Sequence, residues 1–281
     1  YATLATIIFQ TNQNEQHGGQ AIPAFDFFMA KGVSKSFRKH LSSFISFYVA
    51  MESNTAVEEK AIRALIEEHL PSIKTSELER ETLRMALTAL QINIDKEHLA
   101  RVIEKAYFQT RKDTHQAMEG FIHNLNTMHS RGGNQVVFSS INYGTDTSAE
   151  GRMVIEELLT ATIEGLGTRG EVPVFPIQIF KVKNGVSYSE EDYQKAMSDF
   201  EAAEEGRMTF SAPNFDLFLK ACRTTAKALF PNFMFLDAPF NQNEKWDAND
   251  PKRYRYELAT MGCRTRVFEN VVGEKSSLGR G

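Results

Sequence analysis

The chain has 281 residues, 42% of them hydrophobic and 24% charged, which suits one large α/β domain or two small ones. The net charge of −4 argues against a broadly basic surface, so we expect no direct nucleic-acid binding. No apolar run approaches the roughly 20 residues that span a bilayer, and no basic segment of a signal peptide precedes the first apolar residues. We therefore expect no membrane association and a reducing, cytoplasmic location.

The first half of the chain predicts mainly helices. Residues 1–10 are apolar and are compatible with a helix or a strand, and an amide-rich stretch follows at 11–20. Apolar residues recur at helical spacing over 57–70, and Ser76–Glu79 has the pattern of a capping box. One apolar stripe from Leu99 to Leu125 indicates a long helix.

The second half alternates between strands and helices, which favours an α/β fold. Residues 135–142 and 172–182 are β-rich, although two prolines argue against a regular central strand in the second run. A second capping-box pattern at Thr147–Glu150 predicts a helix to about residue 166. Further along, 214–230 predicts a helix, and 233–236 and 258–268 predict extended chain.

Neither glycine nor histidine spacing in the chain supports a ligand or metal site. Gly165–Gly170 matches GxGxxG, but it follows a helix and precedes a strand, so it predicts a glycine-rich helix end. The histidines all lie at or before His129 and none forms HExxH, so no metal site is predicted. Two cysteines are too few for a disulfide framework or a four-cysteine zinc site.

The two cysteines have different surroundings. Cys222 lies at helical spacing among apolar residues, which predicts a buried structural thiol. Cys263 follows a glycine and precedes two arginines, a context that lowers a thiol pKa, so it is either a functional cysteine or a core residue. The surrounding segment 251–280 has seven basic and three acidic residues. It is either a solvated surface or a polyphosphate-binding region.

Four short motifs in order resemble the anaerobic (class III) ribonucleoside-triphosphate reductase family. They are MGCRT at Met261–Thr265, FSSINYGTD at Phe138–Asp146, FPIQIF at Phe175–Phe180 and QTNQNEQHGGQ at Gln10–Gln20, and the closing GRG also fits. The resemblance covers about residues 1–183 and 214–281. We expect residues 1–281 to be a single catalytic barrel core, an excerpt of a longer chain, with an acidic surface insertion at 184–213.

The resemblance implies a ten-stranded α/β barrel of two half-barrels, with a finger loop inside it. Cys263 matches the cysteine at the tip of that loop, which a glycyl radical oxidises to a thiyl radical. Met261 and Thr265 match the flanking positions and are expected to contact substrate. Ser139, Ser140 and Asn142 match a barrel strand and are expected to face the substrate. The helix start at Thr147–Glu150 is a candidate phosphate site or an ordinary helix cap.

The same resemblance implies the partners of the whole enzyme. These are a ribonucleoside triphosphate substrate, ATP or dNTP effectors, a radical-SAM iron-sulfur activase, a structural zinc and a second copy in a homodimer. The radical glycine, the zinc-binding cysteines and the regulatory ATP-binding region match nothing in this sequence, so the excerpt alone is expected to be inactive. Two alternatives remain at this point: a glycyl-radical enzyme of the formate-lyase type, and a non-catalytic nucleotide-binding module.

Overall fold

A computed structural model describes residues 1–15, 18–52, 58–130, 135–262 and 265–267. The helices in these ranges are α1 (Ala2–Glu15), α2 (Phe25–Glu52), α3 (Glu59–His69), α4 (Glu77–Ala89), α5 (Lys96–Thr127), α6 (Ala149–Glu164), α7 (Glu190–Ser198), α8 (Phe200–Glu204) and α9 (Phe215–Ala228), with a 3₁₀ helix at Arg253–Tyr256. The strands are β1 (Gln20–Ile22), β2 (His129–Ser130), β3 (Gln135–Val136), β4 (Ser139–Tyr143), β5 (Ile177–Val182), β6 (Asn232–Phe235), β7 (Ala259–Met261) and β8 (Thr265–Val267).

Four parallel strands form the central sheet, in the order β1-β4-β5-β6. Helices join successive strands, so the expected α/β class is confirmed. Two short antiparallel pairs, β2–β3 and β7–β8, lie outside this sheet.

The two faces of the sheet are covered differently. On one face, Ile141, Tyr143 and Phe180 pack into the main core with helices α2, α5 and α6. Ser140, Asn142 and their neighbours across the sheet lie on the opposite face because side chains alternate along a strand. There Ile179, Met234, Leu236 and Leu258, the residue directly before β7, form a second cluster. The sheet is therefore buried on both sides, as parallel sheets usually are.

Most of the predicted helices are present. Residues 2–10 belong to α1, the capping box at Ser76 is complete, and Gly165 caps the C-terminal end of α6. The capping box predicted at Thr147–Glu150 is wrong. Ser148 is the N-cap and accepts a hydrogen bond from the Gly151 N–H, while Glu150 accepts one from the Ile73 N–H at 2.9 Å. The tertiary contact takes the carboxylate that a capping box would have used.

Two further expectations are corrected. Cys222 is exposed, because α9 buries the face that carries Leu217, Ala221 and Thr224 and leaves the next position outside. The prolines at 173 and 176 do not weaken the central strand, because β5 begins at Ile177, just after them, and pairs on both sides.

The acidic segment is helical, as predicted. It contains α7 and α8, and Ala196 and Ala203 pack with Ala212 and Phe215 into a small separate cluster. Asp192 is buried and accepts hydrogen bonds from the Ser211 and Ala212 N–H groups at 2.8 and 2.7 Å, which ties the segment to the start of α9. That 184–213 is an insertion stays a prediction.

Candidate functional site

The site is centred on the β7–β8 hairpin. Ala259, Thr260 and Met261 pair with Val267, Arg266 and Thr265 in turn. Met261 and Thr265, the two predicted flanking residues, are therefore direct partners across the end of the hairpin. Three residues, 262–264, connect them, and the first is Gly262 with a φ of +63°. Glycine adopts this left-handed conformation without steric cost, which suits a tight turn.

Side chains of β4 hold the hairpin against the sheet. The Asn142 Nδ2 donates to the Thr260 carbonyl at 2.8 Å, and the Thr260 N–H donates to Asn142 Oδ1 at 2.8 Å. The Gly262 N–H donates to the Ser140 hydroxyl at 3.1 Å, and that hydroxyl donates to the Gln20 carbonyl at 3.1 Å. The backbone immediately before Cys263 is thus fixed by two buried polar side chains.

Other contacts hold each strand of the hairpin. The Met261 side chain lies against Gly19 of the amide-rich stretch, where an added Cβ would be 3.6 Å from the Met261 Cγ. On β8, the Arg266 guanidinium donates to the Phe240 carbonyl at 2.8 Å and lies over the Phe240 ring at 5.2 Å. Both strands of the hairpin therefore have side-chain anchors in the described part of the chain.

A buried carboxylate organises the loop after β4. One oxygen of Asp26, at the start of α2, accepts hydrogen bonds from the N–H groups of Gly144, Thr145 and Asp146 at 2.8, 3.1 and 3.0 Å. Burial raises the pKa of Asp26, while the backbone N–H groups and the nearby Lys181 ammonium oppose that rise. The loop lies at the carboxyl edge of a parallel sheet, which is where ligands of α/β proteins usually bind.

Asp146 is a second buried carboxyl group at this edge. Burial, followed by the negative charge of Asp26, raises the pKa of Asp146 to about 6. The side chain lies against Gly151, where a Cβ would be 2.1 Å from Asp146 Oδ2. Arg253 donates to the Thr145 carbonyl at 2.7 Å and to the Thr147 hydroxyl at 3.1 Å.

The structure brings together four of the six predicted site residues. Ser140, Asn142, Met261 and Thr265 lie on the hairpin or directly beneath it. Ser139 lies on the opposite face of β4, and its hydroxyl donates to the Val137 carbonyl at 3.2 Å. Cys263 lies outside the described residues, between Gly262 and Thr265 in the sequence. Contact of these residues with substrate stays a prediction.

Two cavities lie near the carboxyl edge of the sheet. One, of about 200 Å³, is lined by residues that include Lys183, Asp237, Trp246 and Glu257. A larger groove of about 1100 Å³ borders the start of α6, with Lys74 and Arg152 among its lining residues. The N-terminus of α6, the candidate phosphate site, therefore opens onto a groove that carries both basic and acidic side chains, in which Arg152 is paired with Asp216 at 2.6 Å.

Several buried charged residues at this edge were not predicted as site residues. These are Asp26, Asp146, Lys181, Arg253 and Glu257. Asp146 ends the FSSINYGTD motif but was assigned no role, and the other four come from three separate parts of the chain, so no short motif joins the five. Within the described ranges no group of three or more His, Cys, Asp or Glu side chains is placed to hold a metal ion. Among the helices described, none has the length and apolar character needed to cross a bilayer.

Comparison with known proteins identifies the family of the chain that contains this hairpin and parallel sheet. The sequence model of the anaerobic ribonucleoside-triphosphate reductase family matches residues 1–281. The chain therefore belongs to that family.

Curated relatives of that name agree. The protein of Enterobacteria phage T4 is 27% identical over 188 residues, which cover 66% of this chain and 26% of the relative. The protein of Escherichia coli (strain K12) is 25% identical over 174 residues, covering 61% of this chain and 20% of the relative. That of Salmonella typhimurium is also 25% identical over 174 residues. The matched region thus spans only about a fifth to a quarter of the E. coli and T4 relatives.

Proposed function

We propose that this chain is part of the catalytic core of an anaerobic ribonucleotide reductase, which reduces ribonucleoside triphosphates to deoxyribonucleoside triphosphates for DNA synthesis. The observation that carries the proposal is the hairpin held by Asn142 and Ser140, which fixes the backbone next to Cys263. Membership of the family supports the same reaction and favours it over a formate-lyase-type enzyme or a non-catalytic module.

Cys263 is the proposed catalytic residue. When present, the glycyl radical of the full-length enzyme supplies the oxidising equivalent. The Cys263 thiol loses its hydrogen atom, and the resulting sulfur radical takes the hydrogen from the 3′ carbon of the ribose. The 2′ hydroxyl then leaves as water with one proton, and an external donor, formate or a thiol protein, supplies two electrons and the second proton. The Cys263 thiol returns a hydrogen atom to the 3′ carbon, which re-forms the sulfur radical. Hydrogen-atom transfer needs the sulfur held close to one C–H bond, and a tightly anchored hairpin meets this need.

The remaining site residues have proposed positioning and binding roles. Met261 and Thr265 flank the thiol and would contact the ribose, while Ser140 and Asn142 act through the backbone of the hairpin. For Ser139, a contact with substrate is proposed only because the residue lies in the FSSINYGTD motif. The triphosphate would need cations or helix N-terminal N–H groups, and the groove at the start of α6 offers both.

The finer architecture is also a proposal. The four parallel strands would form part of a ten-stranded barrel, with the β7–β8 hairpin as its finger loop. The full-length enzyme would be a cytoplasmic homodimer regulated by ATP and dNTP effectors and activated by a radical-SAM iron-sulfur protein. A structural zinc would require ligands from another part of the enzyme, because the described residues provide no cluster for it.

The test uses the full-length enzyme, activated without oxygen by its activase and S-adenosylmethionine. Wild type is expected to convert CTP to dCTP, whereas Cys263→Ala is expected to form the glycyl radical, seen by EPR, and no dCTP. Cys222→Ser is the matched control, because that thiol is exposed on α9 and is expected to be dispensable. Undiminished dCTP from Cys263→Ala would remove this thiol from the mechanism. A glycyl radical in wild type without dCTP would refute the reductase proposal.

A further inference from the structure

An ion pair lies fully buried at the base of the hairpin. The Lys181 ammonium is 3.0 Å from the Glu257 carboxylate, and the two side chains are 1% and 0% exposed. Lys181 lies on β5, on the face of the sheet that the hairpin covers, and Glu257 lies two residues before β7. The pair therefore joins the base of the hairpin to the centre of the sheet.

Both oxygens of Glu257 are used by separate parts of the fold. Oε2 accepts hydrogen bonds from the Lys181 Nζ at 3.0 Å and the Thr145 hydroxyl at 2.8 Å. Oε1 accepts a hydrogen bond from the Trp246 indole N–H at 3.1 Å. One carboxylate thus connects β5, the loop after β4 and the segment between β6 and the hairpin.

Stability alone does not account for charges in this position. Removing two charges from water costs about as much as their attraction returns, and apolar residues of similar size often stabilise a fold as well or better. Apolar neighbours are already present on this face, at Ile179, Met234 and Leu258. Hydrogen bonds are directional, whereas apolar contacts are not. The three hydrogen bonds to the carboxylate therefore restrict the Glu257 backbone to one position.

The hairpin depends on such side-chain anchors. In the described part of the chain, β7 pairs only with β8 and makes no ladder with the four-stranded sheet. Side chains hold it over the sheet: Asn142 and Ser140 near the tip, and Glu257 at the base, in addition to the contacts of Met261 and Arg266 described above. A shift at the base is carried along β7 to residues next to Cys263.

We propose that Glu257, held by Lys181, is a positioning residue that sets the placement of the catalytic hairpin. The proposal rests on the reductase function proposed above. Loss of the Glu257 carboxylate is expected to move the thiol away from the ribose C–H bond. A displacement of about 1 Å at a reacting atom costs on the order of 100-fold in rate.

The first experiment measures turnover per radical. Glu257→Gln removes the charge and keeps the shape. Trp246→Phe removes the hydrogen bond to Oε1 and leaves a smaller ring under the Lys183 ammonium. The full-length variants are activated anaerobically, glycyl radical is counted by EPR, and dCTP formation is measured with CTP and with 3′-deuterated CTP. Glu157→Gln is the matched control, because Glu157 is also a buried, ion-paired glutamate but lies among the helices, with Arg111 and His115.

A positioning role predicts three results for Glu257→Gln. The kcat per radical falls on the order of 100-fold, KM for CTP changes little, and the isotope effect on kcat rises because hydrogen abstraction becomes slower. Trp246→Phe shows a smaller fall in the same direction. Glu157→Gln lowers thermal stability but keeps the wild-type kcat per radical and isotope effect. Wild-type values in Glu257→Gln, or equal losses in Glu157→Gln, would overturn the proposal.

A second measurement does not depend on turnover. Hydrogen exchange of residues 258–262 is expected to be faster in Glu257→Gln and Trp246→Phe than in wild type, with β4 unchanged. Unchanged exchange at 258–262 in both variants would refute the anchor even if activity fell. A wild-type enzyme that carries the radical but makes no dCTP would instead refute the reductase function, and the exchange result would still show whether Glu257 anchors the hairpin.

Discussion

The clamp between Asn142 and the hairpin can be tested by removing one side chain. Asn142→Ala deletes two hydrogen bonds of 2.8 Å, one to the Thr260 carbonyl and one from the Thr260 N–H. Asn142 is 0% exposed, so the replacement leaves a buried space beside the unpaired peptide group. Each unsatisfied backbone group costs about 1–3 kcal/mol. Because Thr260 is only half-buried, water can reach part of the peptide group and the lower end applies.

These values give a measurable change at one amide. A loss of about 2 kcal/mol for the two groups corresponds to roughly 30-fold faster opening, since about 1.4 kcal/mol is a factor of ten. Hydrogen exchange resolved at the Thr260 amide is expected to show that acceleration in the full-length protein. Turnover per glycyl radical is expected to fall as well, because the anchored backbone lies next to Cys263.

Asn126→Ala is the control for this experiment. Asn126 also uses both ends of its amide, donating to the Phe175 carbonyl at 2.6 Å and accepting from the Val174 N–H at 2.9 Å. Its loss is expected to accelerate exchange near residues 174–175 and leave Thr260 unchanged. A Thr260 amide in Asn142→Ala that exchanges within about threefold of wild type would refute the clamp, as would an equal acceleration in Asn126→Ala.

Two further predictions concern the loop after β4. Because burial raises the pKa of Asp146 to about 6, the folded protein holds this proton at a pH where the unfolded chain, with a pKa near 4, has released it. The stability from this group therefore falls as the pH rises from about 4 to about 6, and Asp146→Asn is expected to flatten that part of the profile of thermal midpoint against pH. An unchanged slope would contradict the assignment. Gly151→Ala is expected to lower the thermal midpoint, since its Cβ would meet Asp146 Oδ2 at 2.1 Å, whereas Gly120→Ala, with nothing within 4 Å on α5, is expected to raise it. Equal midpoints for the two variants would contradict the close approach.

The local patterns of the sequence predicted elements better than their ends. Ser76–Glu79 and Thr147–Glu150 have the same capping-box pattern, yet only the first is a capping box. The carboxylate of Glu150 instead accepts a hydrogen bond from the N–H of Ile73, 77 residues earlier in the chain. A local pattern contains no information about such a partner, so the helix was predicted correctly and its cap was not.

The error at Cys222 has a similar origin. Helical spacing placed it beside apolar residues, and α9 does bury Ala221 and Thr224. The width of the buried stripe depends on how the neighbouring helix packs, and α6 covers only the Leu217–Ala221 side. Periodicity thus predicted the helix, but the residue at the margin of its apolar face could not be assigned from spacing alone.

The buried charges at the hairpin face show why much of the site could not be predicted. Ile177, Ile179 and Lys181 lie at every second position of β5 and therefore share one face of the strand. The same pattern fits a half-exposed strand that ends with a lysine in solvent. Lys181 is buried because the hairpin and the segment before it cover that face. Glu257, 76 residues later, supplies the opposite charge. The pair is therefore desolvated when the hairpin docks. The apolar contacts that Ile179, Met234 and Leu258 make in the same step offset the free-energy cost of that desolvation. An imperfectly seated hairpin would leave the two charges poorly paired away from water, so the pair penalises small displacements more steeply than apolar contacts alone would.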